Sequence, residues 1–267
     1  MARNSLKNVI RLIDNVKSEL PVEKSFLDDL KRSIELTDEK NKRLPSQTYK
    51  PSSMNCIRAS YYQITGKEPE ASSSYIGVGI CNSGSDIHER IQQSILDMRG
   101  NGIDCDYLNV ADYVKSRELE DLEIVKEPNF DNKEYETKLY HKKLNISFLC
   151  DGIIRYKNRY YITEFKTESS NKFWQRQGVD ESHYKQATAY SLMLDINEVI
   201  FIYICRDNLE MKGYLFKPTN YMRNDLIGYI DECNKYITRQ EIPPKPNPLP
   251  KKSCQYCNYV KYCRKDN

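Results

Sequence analysis

The stretch "LNISFLCDGIIRYKNRYYITEFKT" (144–167) predicts two neighbouring strands in the middle of the chain. Its two halves are rich in Ile, Phe, Leu and Tyr, which predicts one strand over 144–156 and another over 159–167. Lys157-Asn158 lies between them as a two-residue turn, so the strands are expected to pair as a hairpin. A third strand is predicted just upstream, in "EYETKLYHKK" (134–143).

Three charged side chains interrupt this apolar hairpin. Asp151 lies at the centre of the first predicted strand, and Glu164 and Lys166 lie on the second. Because strand side chains alternate, Glu164 and Lys166 share a face, and a short hairpin can place Asp151 beside Glu164. Two carboxylates suit Mg²⁺ or Mn²⁺, and a nearby ammonium group can orient a water or stabilise developing charge. A surface ion pair is the alternative, although the apolar flanks favour the metal site because unpaired buried charge is costly.

The rest of the chain alternates between helical and strand periods. Residues 4–20 have helical spacing, a second helix is predicted to begin at Pro21, and 41–53 reads as a linker. The other predicted helices are 54–66, 85–100, 182–195 and 224–237, and the other predicted strands are 198–206 and 210–218. This order predicts an α/β fold with a mixed central sheet.

Length and composition narrow the class of protein. A chain of 267 residues can form one large domain, and its formal net charge of +3 is too small to indicate nucleic acid by itself. No apolar run of about 18 residues predicts a membrane span, and the first residues lack the apolar core of a secretory signal. We therefore expect an intracellular protein whose nine cysteines are reduced, with metal or redox chemistry where they cluster.

The hairpin and two neighbouring segments resemble a known family. "CDGII" followed by "EFK" is similar to the core of the PD-(D/E)XK nucleases, in particular the RecB-like branch. "GSDIHERI" places His88 on an upstream helix, and "QATAY" matches the Gln-x-x-x-Tyr motif of that branch. Gln186 and Tyr190 are four residues apart and share one helical face. Cys150 replaces the proline of the family name, at a position that varies within the branch.

The resemblance implies a fold, a reaction and a set of site residues. The fold would be a PD-(D/E)XK nuclease core, with a mixed central sheet flanked by helices. The reaction would be phosphodiester hydrolysis by a Mg²⁺- or Mn²⁺-dependent DNA exonuclease, in recombination, repair or end processing. Lys166 would position the attacking water, and Gln186 and Tyr190 would position the scissile strand. The implied metal ligands are His88, Asp151, Glu164 and the carbonyl of Phe165.

Three cysteines close the chain in the pattern Cys254-x₂-Cys257-x₅-Cys263, and the best fourth ligand is Cys56. This arrangement resembles the iron–sulfur RecB-like nucleases, which include CRISPR-associated exonucleases and the AddB-type nuclease domain. It implies a 4Fe–4S cluster, and the spacing favours that cluster over a four-cysteine zinc site, which stays open. The implied organisation is an N-terminal helical extension over 1–45 and a nuclease domain over 46–267.

A DNA-binding surface is also predicted, although the abundance of basic and tyrosine residues makes such patterns common by chance. Arg58 lies where the family has a basic residue, and with Lys185 it is predicted to contact phosphates. Other candidates for phosphate contact or base stacking are Lys172, Arg176, Tyr61, Tyr62, Phe173 and Trp174. Glu136 is either an acid behind the metal ligands or a solvated surface residue, and the second interpretation is preferred.

Other functions stay open at this point. The alternatives are a zinc-stabilised endonuclease acting on duplex DNA, a nucleic-acid-binding module without catalysis, and an RNA-processing enzyme. A helicase or recombination protein is a candidate partner, and no membrane association is expected. The Asn-, Lys- and Tyr-rich composition suits an AT-rich bacterium or its phage, so the expected location is the cytoplasm, or the host cytoplasm for a phage protein.

Overall fold

A computed structural model describes residues 22–41, 45–69, 74–246, 254 and 257–266. The predicted helix 4–20 and Pro21 lie outside these residues. The chain divides into two compact units, the first formed by Met1–Arg43 with Ser72–Cys81 and the second by Leu44–Ala71 with Asn82–Asn267. The predicted boundary between a helical extension and a nuclease domain, at residues 45 and 46, stays a prediction.

Eight α-helices, α1 to α8, lie in the described residues. They are Val22–Lys40, Ile57–Ile64, Tyr75–Asp97, Val110–Ser116, Ser170–Gln175, Tyr184–Leu194, Asn220–Arg239 and Val260–Lys265. In the first unit no side chain of α1 is buried, and Glu35 Oε1 of α1 accepts a 2.9 Å hydrogen bond from the amide of Tyr75. No helix in the described ranges is long and apolar enough to cross a membrane.

Two β-sheets form the second unit. Their strands β1 to β8 are Cys105–Leu108, Leu122–Lys126, Thr137–His141, Ile146–Cys150, Gly152–Tyr156, Arg159–Glu168, Val199–Cys205 and Met211–Phe216. The larger sheet has the order β1-β5-β6-β7-β8, in which β6 and β7 run parallel and the other neighbours run antiparallel. The smaller sheet, β2-β3-β4, is antiparallel. The predicted α/β class with a mixed sheet is confirmed.

The hairpin of β5 and β6 follows the prediction. Tyr156 pairs with Arg159, so two residues form the turn. Lys157 and Asn158 both have positive φ, 47° and 59°, as a two-residue turn that matches the twist of the strands requires. This turn fixes the register of the two strands, and with it the residues that face each other farther along the hairpin.

The prediction that Asp151 lies at the centre of one strand is wrong. β4 ends at Cys150 in the smaller sheet, and β5 begins at Gly152 in the larger one, so Asp151 lies where the chain passes between the sheets. Gly152 is required here, because a Cβ atom at this position would lie 2.6 Å from Cε2 of Tyr107 and 2.9 Å from Oγ1 of Thr163. The passage therefore brings the backbone into close contact with β1 and β6.

The core of the second unit lies between the larger sheet and α6. Small and apolar residues make up most of α6, and nearly all its side chains from Gln186 to Leu194 are buried. Val199, Phe201 and Tyr203 of β7 are fully buried beneath them. α7 packs against both α2 and α6. This packing holds α6 firmly over the strand pair β6 and β7.

Candidate active site

Two antiparallel ladders meet at Asp151. In the hairpin, Gly152 faces Thr163, so the next position along places Asp151 across from Glu164. In the smaller sheet, Thr137 faces Cys150, so the next position places Glu136 across from Asp151. The sheet geometry therefore sets three carboxylates in a row, Glu136, Asp151 and Glu164, with Asp151 in the middle.

Hydrogen bonds fix the orientation of Asp151. Its Oδ2 accepts a 2.9 Å bond from the main-chain N–H of Phe165. Its main-chain carbonyl accepts bonds from Gln92 Nε2 at 2.7 Å and from the Tyr107 hydroxyl at 2.5 Å. The Phe165 amide thus has a defined partner in the site, whereas a metal contact by the Phe165 carbonyl stays a prediction.

Lys166, Glu164 and Gln186 form a closed network. Lys166 Nζ donates to Glu164 Oε1 at 2.6 Å and to Gln186 Oε1 at 3.1 Å. Gln186 Nε2 donates to the same Glu164 oxygen at 2.6 Å and contacts the Tyr190 hydroxyl at 3.1 Å. Tyr190 in turn donates to the carbonyl of Leu149 at 3.0 Å. The structure therefore brings together four of the residues singled out from sequence, and it ties them to the end of β4.

Glu164 leaves one oxygen without a partner. Its side chain is about 4% exposed, and Oε2 is buried without a hydrogen bond among the described residues. A buried carboxylate oxygen that lacks a donor is destabilising by about 1–3 kcal/mol or more. A bound cation or an ordered water would satisfy such an oxygen.

A group of potential metal ligands includes Asp151 but not Glu164. One ligand atom each from His88, Glu136 and Asp151 lie within 4.8 Å of one another. His88 comes from α3, with its ring centroid 5.6 Å from that of Phe165. Glu136 is half-buried and belongs to this group, which favours an acid behind the metal ligands over a solvated surface residue. Only the register of β3 and β4 shows that Glu136 faces Asp151.

Burial controls the charge states of the site. It raises the pKa of Asp151 and of Glu164 to about 7, and it raises the pKa of Glu136. It lowers the pKa of His88 to about 4, which leaves a neutral imidazole able to bind metal. Burial alone would lower the pKa of Lys166, but Glu164 and Asp151 outweigh it and the pKa is raised. Lys166 is therefore charged at neutral pH, and the crowded carboxylates favour a cation between them.

Four thiols form a second centre in the same unit. Cys56, Cys254, Cys257 and Cys263 line one small cavity of about 40 Å³. All four are free and partly buried. Burial, together with the neighbouring thiols of the set, raises the pKa of Cys254 and Cys257. The structure thus places Cys56 next to the three cysteines near the end of the sequence.

Arg58 stabilises this second centre and is not available to DNA. It is 1% exposed, and its two terminal nitrogens donate to the carbonyls of Pro243 and Asp266, both at 2.6 Å. The hydroxyl of Tyr62 adds a 2.8 Å bond to the Asp266 carboxylate. These contacts speak against the predicted phosphate contact and give Arg58 a structural role, because they hold the C-terminal segment beside Cys56.

The other residues predicted to bind DNA differ in their surroundings. Lys185 Nζ lies 4.3 Å from the ring centroid of Tyr229 and 3.7 Å from Asp225, so a DNA contact by Lys185 stays a prediction. Arg176 is buried in an ion pair with Glu168. Other side chains named for this role are the buried Phe173, Tyr61 and Tyr62 and the exposed Trp174 and Lys172.

Comparisons with known proteins give distant similarities of structure. No protein-family model matches the sequence, and no curated protein matches it. The chain is similar to the crystal structure of SSO0001, with 17% identity and a TM-score of 0.47 over 89% of this chain and 96% of that chain. It is also similar to LHK-Exo in complex with dAMP, with 8% identity and a TM-score of 0.38 over 73% of this chain and 89% of that one. At these values neither similarity carries an argument about function.

Proposed function

We propose that the chain is a divalent-metal-dependent deoxyribonuclease with a PD-(D/E)XK core of the RecB-like type. One observation carries the proposal: three carboxylates in a row, two of them buried, lie beside a charged lysine. Glu164 joins the two parts, because one of its oxygens binds Lys166 and the other is buried without a partner in the described residues. An ordinary ion pair would not need two further acids beside it.

The donor set fits Mg²⁺ or Mn²⁺. Carboxylate oxygens are the ligands that these ions prefer, and a neutral imidazole suits Mn²⁺ as well. The residues that would hold the ion are His88, Glu136, Asp151 and Glu164. When bound, the ion would supply positive charge to stabilise a phosphate under attack.

Lys166 contributes charge and orientation. Glu164 and Asp151 raise the pKa of Lys166, so its ammonium group is a hydrogen-bond donor at neutral pH. Glu164 and Gln186 hold its Nζ in place, so it can orient a water toward a phosphate and stabilise the negative charge of the transition state. Tyr190 fixes Gln186 by its bond to the end of β4.

Degradation of DNA is tested directly by incubating end-labelled single- and double-stranded DNA with Mg²⁺ or Mn²⁺. We expect products released from the ends, and activity that is lost in Lys166→Ala. Closed circular DNA separates an exonuclease, which leaves it intact, from the duplex endonuclease alternative. Equal cleavage by wild type and Lys166→Ala would contradict the proposal. Cleavage of RNA but not of DNA would show that the substrate is RNA.

We further propose that the four cysteines bind a 4Fe–4S cluster. The four thiols line one common cavity, and the x₅ spacing with the single distant Cys56 favours this cluster over a four-cysteine zinc site. The role of the cluster would be to hold the two ends of the domain together.

The two possible metals are distinguished by analysis of protein purified without oxygen. We expect stoichiometric iron and sulfide, with a broad absorbance at about 400 nm. Stoichiometric zinc with no visible absorbance would contradict the cluster and leave the proposed nuclease activity unaffected.

A further inference from the structure

The face of the larger sheet that carries Glu164 and Lys166 continues onto the next strand. In the parallel pair of β6 and β7, Glu164 faces Phe201 and Lys166 faces Tyr203. Paired residues project from the same side of a sheet. The ring of His183 stacks on both Phe201 and Tyr203, with centroid distances of 5.9 Å. His183 therefore lies over the strand beside the catalytic residues, one turn before Gln186 at the start of α6.

The hydrogen bonds around Tyr203 define which nitrogen of His183 carries hydrogen. The Tyr203 hydroxyl accepts a 3.1 Å bond from the main-chain N–H of Asp180 and lies 2.9 Å from His183 Nδ1. Tyr203 is fully buried, so leaving its hydroxyl hydrogen unbonded would be destabilising. Among the described residues His183 Nδ1 is the acceptor for that hydrogen. A neutral ring then carries its own hydrogen on Nε2.

The ring is neutral at ordinary pH. Burial lowers the pKa of His183 to about 4, and nearby Lys166 lowers it further. Nε2 makes no hydrogen bond in the part of the chain that the structure describes, and it is not one of the buried atoms that lack a partner there. It is therefore an N–H donor that reaches solvent beside Lys166.

The charges near His183 leave this donor accessible to an anion. Arg176 is committed to Glu168, and Lys172 pairs with Glu168 at 3.0 Å and with Asp180 at 3.4 Å. These pairs balance one another's charge. An incoming phosphate next to Lys166 would thus meet His183 as a neutral donor already held in position.

We propose that His183 binds the DNA strand by donating from Nε2 to an oxygen of a phosphate that neighbours the scissile one. This inference rests on the proposed nuclease function and adds a strand-positioning contact that the Gln-x-x-x-Tyr pair does not supply. A purely structural role is the competing explanation, in which His183 only fills space over Phe201 and Tyr203.

Two substitutions separate donation from packing. His183→Phe keeps a stacked ring and removes the donor, whereas His183→Gln keeps a donor and removes the ring. We expect the Phe variant to weaken DNA binding and raise KM about tenfold, the usual effect of losing a hydrogen bond to a charged group. kcat should change much less, and the Gln variant should recover part of the affinity. Equal KM for wild type and the Phe variant would overturn the proposal.

The contact is located by combining the Phe variant with DNA that carries one neutral methylphosphonate at a time. For wild type, a methylphosphonate at one position beside the cleavage point should lower DNA affinity about tenfold. For the Phe variant, the same methylphosphonate should cause no additional loss of affinity. Independent losses at every position would show that His183 contacts none of these phosphates and would overturn the proposal.

The tautomer is tested without DNA or activity. Nitrogen-15 chemical shifts of His183 should show hydrogen on Nε2 in the wild type, and Tyr203→Phe should permit both tautomers. Hydrogen on Nδ1 in the wild type would overturn the proposal even if the Phe variant fails to fold. Wild-type protein that neither binds nor cleaves DNA with Mn²⁺ would instead count against the nuclease function itself.

Discussion

The carboxylate site and the four-cysteine centre bring ligands together in opposite ways. Glu136, Asp151 and Glu164 are aligned by backbone ladders within one short region of sequence. The thiols join Cys56 to a segment that begins at Cys254, nearly 200 positions later. The first set is held by strand pairing whether or not an ion is bound. The second depends on side-chain contacts such as those of Arg58, and on whatever the thiols bind.

Loss of bound metal is therefore expected to have different consequences in the two regions. The carboxylate site should lose activity and keep its fold, because strand pairing on both sides of Asp151 and the bond from the Phe165 N–H to its carboxylate position the acids. Loss of the proposed cluster should lower the stability of the cysteine centre, because ligation by Cys56 and the three later cysteines would close a long loop.

The largest effect is expected for Asp151→Asn. The amide keeps an oxygen for the Phe165 N–H but removes the central charge of the row, so cleavage should fall about a thousandfold. Thermal stability should not fall, because a buried charge has been removed. Rates of DNA cleavage and melting temperatures check both expectations. Asp112→Asn, at an exposed position on α4, is the control, and comparable cleavage by both variants would contradict the assignment of the site.

Cys257→Ser should have the largest effect on stability. A link that closes a loop of nearly 200 residues is worth about 5 kcal/mol, so the melting temperature should fall by roughly 10–20 °C. Calorimetry of protein prepared without oxygen measures this change. Cys81→Ser, at a cysteine that does not line the cavity, should melt like wild type. A Cys257 variant that melts like wild type would show that the cysteine centre does not contribute to stability in the way proposed.

The pH dependence of metal-free protein should reflect the raised pKa values of Asp151 and Glu164. Both are about 7 in the folded chain and about 4 when unfolded. The folded state then holds more protons between these values, so their contribution to stability is present at low pH and is lost as pH rises through 7. Mn²⁺ competes with those protons, so its stabilisation should grow from pH 6 to pH 8.

Melting curves with and without Mn²⁺ at each pH test this expectation. The double variant Asp151→Asn with Glu164→Gln is the matched control, since it should lose both the proton linkage and the response to Mn²⁺. A Mn²⁺ effect that is equal at pH 6 and pH 8 would show that the two carboxyls are not the groups that titrate.

The smallest effect is expected for Glu136→Gln. If Glu136 is a ligand or holds one in place, Mn²⁺ affinity should fall at least about tenfold while the chain stays folded. Titration with Mn²⁺ measures the change, and Glu123→Gln on the exposed side of β2 is the control. Unchanged affinity would limit the carboxylate row to Asp151 and Glu164.

Local patterns predicted the hairpin and the two-residue turn, because both depend on neighbouring residues only. They did not predict the break at Asp151, since apolar residues continue on both sides of it and Gly152 is the one local signal. The position of Glu136 follows from the register of β3 and β4, which no single strand reveals. Arg58 was predicted to contact phosphate because the family it resembles has a basic residue there. Its acceptors in the structure lie more than 180 positions away in sequence, which local patterns do not reveal.

Gly152 links sequence variation at two distant positions. Any side chain there must displace the ring of Tyr107, and the hydroxyl of that ring holds the carbonyl of Asp151. An enlarged residue at 152 would therefore tilt the peptide that carries the central acid. In homologous chains the two positions should covary, with a side chain at 152 accompanied by a smaller residue at 107.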